Sequence, residues 1–189
     1  MRLAELRYKV YLSLLASLAI VIHTLESAVP TPFPWLKFGL ANIITLTAVI
    51  LFGLRAGMTV TLLRVFVGTL LTGTFLTPAF FLAASGGIAS TLVLALAWRY
   101  LNGLFSVIGI SILGAFTHTF VQVLVAYLIL VKHLEIFLLL PLFLPLSLLG
   151  GVISGLGAQF LVRHLKEGPH IWEMIEAGGG SPDHPCAGP

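Results

Sequence analysis

The residue most costly to place in this chain is Arg64, in the middle of "MTVTLLRVFVGTLL", more than a helical turn from either end of an apolar run. A guanidinium at membrane depth must face the interior of a helix bundle or a wet cavity, because snorkelling from mid-span is difficult. It therefore either bonds carbonyls or a carboxylate such as Glu26, or it contacts a ligand. His118 and Gln122 are four residues apart in "THTFVQVL", which puts them on one face of a helix. Both donate and accept hydrogen bonds, so they suit an interhelical bond or a bound polar group. A third polar concentration is "ESAVPTPFPWLKFGLAN", Glu26 to Asn42, where Pro30, Pro32 and Pro34 fall within five residues between two apolar runs. Those prolines prevent helix and stiffen the segment. The segment is either a rigid interfacial turn or a lid of Pro30, Pro32, Phe33, Pro34 and Trp35 over a ligand. His23, near Glu26, reads as an ordinary solvated residue at the end of a span.

Catalytic sets are missing from the sequence. Its one aspartate is Asp183, near the C-terminus, so paired Asp-rich magnesium sites are excluded within this chain. There is no G-x-x-x-x-G-K-[ST] loop and no G-x-S-x-G elbow. The single cysteine, Cys186, excludes an intrachain disulfide and a Cys-cluster metal site. His170 and His184 are too widely spaced in a polar tail to suggest a metal centre. No catalysis, metal or cofactor is expected.

The elements that must position these residues are apolar. The chain is 58% hydrophobic and 9% charged, with a mean hydropathy of +1.07. Soluble domains carry about 25% charged residues. Continuous apolar runs argue for membrane helices rather than a β-barrel. The first run is span-length and ends in His-Thr-Leu-Glu, unlike a signal-peptide cleavage site. The expectation is an all-α polytopic membrane protein, a six-helix bundle over residues 1–165 with a polar tail over 166–189. Spans are predicted at 9–25, 38–53, 57–73, 78–98, 104–131 and 136–162, with "GLRAG" turning the chain between the second and third. Pro141 and Pro145 should bend or break the start of the sixth. In the tail, "IWEMIEA" suits a short surface helix and the Gly/Pro run after it reads as disorder.

With the N-terminus inside, Arg2, Arg7, Lys9, Arg55, Arg99, Arg163 and Lys166 are cytoplasmic, and only Lys37 and Lys132 are outside. Seven against two predicts an N-in, C-in topology in a bacterial cytoplasmic membrane, with the proline-rich stretch on the outer face. Small residues four apart, such as Ala83 and Gly87, Gly86 and Ser90, and Gly151 and Gly155, suit close helix packing. Ser13 and Ser17 in "SLLASLA" share that spacing, for packing or for docking another membrane protein.

The ordered series "LESAVPTPFPWLKFGLANIITLTAVILFG", Arg64, "SGGIAS" and "SVIGISILGAFTHTFVQ" resembles the bacterial membrane family called heptaprenyl diphosphate synthase component I, or the Gx transporter family. The resemblance covers about residues 8–165. Where the family reads His-Asn-x-Gly-Gln, this chain has His118-Thr119-Phe120-Val121-Gln122. The family is similar to the S-components of energy-coupling factor (ECF) transporters, six-helix proteins that capture a small molecule near the outer face. This implies a membrane-embedded substrate-binding subunit working with a transmembrane coupling subunit and ATPases. Their first helix docks the coupling subunit through Ala-x-x-x-Ala, for which Ser13, Ala16 and Ser17 are the nearest counterparts. Substrate-binding candidates are Glu26, Lys37, Asn42, Arg64, His118 and Gln122, a set weakly favouring an anionic ligand. The synthase label implies the alternative, a non-catalytic membrane component associated with a soluble polyprenyl diphosphate synthase in quinone biosynthesis.

Overall fold

In a bilayer each backbone amide must find its partner within the protein, which drives apolar segments into helix. The computed structural model, which describes residues 2–28, 39–168 and 171–178, is all-α across those residues. The helices are α1 (Arg2–Ala28), α2 (Ala41–Leu71), α3 (Pro78–Leu101), α4 (Val107–Ala126), α5 (Leu140–Lys166) and α6 (Ile171–Ala177). Among the described residues, five segments are long and apolar enough to cross a membrane, at 3–27, 41–71, 78–101, 107–130 and 134–166. The second and third expected spans therefore fall within one helical segment, α2. That segment is not straight. Gly53 has φ 81° and ψ −172°, a conformation essentially confined to glycine.

Side chains from the two arms of α2 meet. The Thr45 and Thr61 hydroxyls lie 3.4 Å apart, and Arg64 Nη2 lies 2.9 Å from Asn42 Oδ1. Along a straight helix these pairs, 16 and 22 residues apart, would be separated by about 24 and about 33 Å. The arms 41–52 and 54–71 are thus antiparallel about the turn expected at "GLRAG". Gly57 makes their contact close, because a Cβ there would overlap the Val49 side chain.

Around this hairpin, α3, α4 and α5 complete a ring in which α5 returns to α2, while α1 packs on α2 from outside. Leu46, Val49, Leu51, Phe52 and Val60 of α2 lie in the core. The Gly151–Gly155 pair works as expected: added Cβ atoms would lie 2.9 Å from Ile112 Cα and 2.7 Å from Ile108 Cα on α4.

Three expectations are corrected. Pro145 does not interrupt the helix; it sits inside α5, with Pro141 in the first turn where its missing N–H costs little. The irregular geometry lies upstream instead, in a π-helical turn at Tyr127–Val131 and a 3-10 helix at Leu134–Leu139. His23, expected to be solvated, is 6% exposed, its ring packed against Gly68 of α2; Glu26 beside it is 9% exposed. The tail, finally, is not uniformly unstructured. The helix expected over "IWEMIEA" forms, and Ile171, Met174 and Ile175 are buried. Arg7 Nη1 pairs with Glu173 Oε2 at 3.1 Å, and Gly178 packs on Tyr8 and Phe52. Residues 179–189, with Asp183, His184 and Cys186, and also His170, lie outside the described residues.

Candidate functional site

The start of α2 is held from three directions. Gly39 takes φ +75°, where an L side chain is strained, and so lets the chain turn into the helix. Glu26 Oε1, at the end of α1, accepts a hydrogen bond from the Leu40 amide at 2.8 Å. Ser154 Oγ, from α5, donates to the Gly39 carbonyl at 2.9 Å. Two residues beyond Leu40, Asn42 Oδ1 accepts from Arg64 Nη2 at 2.9 Å.

Arg64 is 5% exposed, and its buried Nε–H has no hydrogen-bond partner among the described residues. Glu26 is the carboxylate whose field reaches it. The two do not form a direct ion pair: among the described residues, neither lies within 4.0 Å of an opposite charge. A guanidinium bonded to a neutral amide and offset from its counter-charge is a costly arrangement, because a buried charge is compensated well only by a close partner.

Two consecutive glycines of α3 connect this cluster to α4. A Cβ on Gly87 would lie 3.1 Å from Thr61 Cγ2 and 3.9 Å from Arg64 Nη2. One on Gly86 would lie 2.9 Å from Gln122 Cγ and 3.1 Å from the His118 carbonyl. His118 and Gln122 therefore share the face turned to α3, with Gln122 buried and His118 half-buried. Of the expected substrate-binding residues, Glu26, Asn42 and Arg64 gather at the start of α2, and His118 and Gln122 adjoin them across the glycine doublet. Lys37 and the lid residues Pro30, Pro32, Phe33, Pro34 and Trp35 lie outside the described residues.

Sequence reasoning missed Ser154 and a buried threonine chain. Thr91 Oγ1 donates to the Gly87 carbonyl at 2.8 Å, and Thr61 and Thr91 Oγ1 are 2.8 Å apart. A hydroxyl has one proton, so Thr61 must donate to Thr91, and Thr45 to Thr61. The chain runs Thr45, Thr61, Thr91, Gly87 and ties both arms of α2 to the part of α3 beside Arg64. Its only sequence signal is threonine in otherwise aliphatic spans.

The outer face of α1 carries Ser13 and Ser17 among exposed Val10, Leu14, Leu18 and Val21. Each serine hydroxyl bonds the carbonyl four residues earlier at 2.8 Å, which leaves a small, satisfied surface. Ala16 is 3% exposed and faces the core, so it is not part of that surface. Among the described residues, no three of His, Cys, Asp and Glu come together in a way that suits a metal ion.

Long apolar helices around a small buried polar cluster define the class, a polytopic helical membrane protein. Residues 15–161, well over half of the chain, match the family described as heptaprenyl diphosphate synthase component I, and the chain belongs to that family. No curated protein and no solved structure matches it.

Proposed function

We propose that the protein is a non-catalytic, membrane-embedded component associated with a soluble polyprenyl diphosphate synthase. The observation that carries this reading is the family match over 15–161, which takes in most of the helical bundle. The sequence supports the non-catalytic part: with Asp183 as its one aspartate, it has no Asp-rich pair to hold the magnesium that prenyl transfer uses. In this reading the chain crosses the cytoplasmic membrane six times, the α2 hairpin supplying two crossings, and both termini are cytoplasmic. Affinity purification of the tagged full chain from its native membrane tests it. Stoichiometric recovery of a soluble prenyl synthase is the expected result, and recovery of two ATPases with a coupling membrane protein would replace it.

A second reading has its own support, the buried Arg64 bonded to Asn42 and offset from Glu26. It makes the chain a substrate-binding subunit resembling an ECF S-component. Glu26, Asn42, Arg64, His118 and Gln122 form the site, Lys37 and the segment Pro30–Trp35 cover it, and Ser13 and Ser17 dock the coupling subunit. Arg64→Ala is expected to abolish ligand-induced stabilisation while membrane expression is retained. Unchanged stabilisation would remove Arg64 from the site.

A further inference from the structure

Several exposed apolar columns of the bundle finish in a cation, and they do so at the same end. On α5, exposed Ile153, Leu156 and Phe160 lead to Arg163 in steps of three and four residues, one face of a helix. On α3, Leu92 and Leu96 lead to Arg99 in the same way, and on the second arm of α2, Leu62 leads back through Thr59 to Arg55. On α1, Lys9 adjoins exposed Leu6 and Val10. Packing brings the four cations to one end. The Tyr8 ring meets Phe52 edge-on at 5.3 Å, just before the Gly53 turn. Thr61 pairs with Thr91, and a Cβ on Gly57 would also meet Thr91, so α3 runs antiparallel to the second arm of α2 and returns Arg99 to that turn. Gly155 against Ile108 sets α5 antiparallel to α4 and brings Arg163 back to the α3–α4 connection.

The arrangement is one-sided. The opposite end has Lys132 with Glu135 three residues on, and Lys37 outside the described residues. At the cationic end, the four residues with Arg7 and Lys166 make six cations against three carboxylates, Glu5, Glu167 and Glu173. Arg2, Glu176 and Asp183, whose side chains lie outside the described ones, total one negative charge and leave the excess positive. Arg7 is paired with Glu173, but none of the four lies within 4.0 Å of a carboxylate among the described residues. A long cationic side chain at the rim of an apolar column lays its stem on hydrocarbon and its head among lipid headgroups, where phosphate oxygens suit it. Exposed aromatics mark the same level: the Arg99 guanidinium is 5.7 Å from the Tyr100 ring and the Lys166 ammonium 5.6 Å from the Trp172 ring. Position separates lipid from a soluble acidic partner. The cations lie on the perimeter, in line with the exposed columns, whereas Glu167 and Glu173 are exposed beyond them and would repel an acidic protein surface. We propose that this end of the bundle binds a shell of anionic phospholipid, with headgroup phosphates on Lys9, Arg55, Arg99 and Arg163. A net anionic headgroup is favoured over phosphatidylcholine, whose own ammonium opposes the cations. Such a shell is compatible with either function.

The test reconstitutes the purified full chain in phosphatidylcholine bilayers and measures, by electron spin resonance, how spin-labelled phosphatidylglycerol and spin-labelled phosphatidylcholine distribute to the protein boundary. The expected result is a preference for phosphatidylglycerol of about twofold to fivefold, fivefold being the scale of one cation at a membrane surface, diluted by boundary positions that have none. The quadruple variant Lys9→Gln, Arg55→Gln, Arg99→Gln and Arg163→Gln should lose the preference, and Lys132→Gln should keep it. In the wild type, salt at about 1 M, where the screening length is about 3 Å, should lower it. Inorganic phosphate at millimolar concentration should leave it in place, because the free ion has no acyl chains to lie on the apolar columns. Equal distribution of the two lipids, a preference insensitive to salt, or a preference that survives in the quadruple variant overturns the proposal. Abolition by inorganic phosphate would make the cations a site for the free ion. Equal distribution together with loss of a soluble partner by the quadruple variant, in purification from native membranes, would assign them to a protein surface.

Discussion

Glu26 and Ser154, on α1 and α5, hold opposite ends of one peptide unit. The carboxylate accepts the Leu40 N–H at 2.8 Å, and the hydroxyl donates to the Gly39 C=O at 2.9 Å. The exit of the proline-rich segment is thereby fixed to the first and last long helices, immediately before the residue that holds Arg64. The two grips differ in weight. The Gly39 carbonyl also accepts from the Asn42 amide at 2.8 Å, so it keeps a partner without Ser154. Ser154→Ala should cost about 0.5–1.5 kcal/mol. Glu26→Ala strips the Leu40 amide and removes the charge facing Arg64, and should cost more, about 3 kcal/mol. Denaturant unfolding in detergent checks the order, and equal losses would refute the asymmetry.

The reversal at Gly53 can be tested by cross-linking. In a chain with Cys186→Ser, cysteines replacing Thr45 and Thr61 should form a disulfide on mild oxidation in membranes, because the native hydroxyls are 3.4 Å apart. A continuous helix would hold those positions about 24 Å apart and give no cross-link. Gly53→Ala, forced to φ near +81°, should destabilise the protein by about 1–3 kcal/mol.

The hairpin marks how far the sequence could be read. Two apolar runs divided by "GLRAG" imply a turn, and the glycines say where it lies. Arg64 was legible as an inward-facing residue because the bilayer leaves a mid-span guanidinium no alternative. The burial of Glu26 was not legible, since its partner is a backbone amide, and an amide carries no sequence signature. Ser154 and the threonines were silent for another reason. A hydroxyl in a membrane helix can satisfy itself on the carbonyl four residues back, as Ser13 and Ser17 do, so its type does not reveal a tertiary role. The phase of α1 was equally hidden, because a helix apolar on most sides does not say whether Ala16 or Ser17 faces the core.

The threonine chain has a direction, and its middle member should matter most. Thr61→Val keeps the shape but removes the donor to Thr91 and the acceptor for Thr45. Interhelical hydrogen bonds in membranes average about 0.6 kcal/mol, with the strongest near 1.7. Losing two should cost about 1–2 kcal/mol, while Thr61→Ser should restore most of it. Thermal unfolding of both variants checks this, and a neutral Thr61→Val would reduce the chain to coincidental proximity.

Orientation rests on the basic residues, and the single cysteine makes it measurable. In intact cells Cys186 should resist a membrane-impermeant maleimide and react after permeabilisation. In a Cys186→Ser background, a cysteine replacing Lys37 should react from outside without permeabilisation. The opposite pattern would invert the topology and place the Glu26–Asn42 segment on the cytoplasmic side.

The short helix α6 separates packing from charge as the means of holding the N-terminal end of α1. The Arg7–Glu173 pair is 3.1 Å long, but both side chains are substantially exposed, so Glu173→Gln should cost less than about 1 kcal/mol. Met174 is 2% exposed and Ile175 4%, and truncating either to alanine should cost about 2–5 kcal/mol locally. Hydrogen exchange over 171–178 distinguishes the two, because α6 can detach without unfolding the membrane helices. Protection should survive Glu173→Gln and collapse in Met174→Ala, with the exchange of α3 and α4 unchanged. If Glu173→Gln alone releases the helix, the ion pair rather than the apolar face is what fastens it.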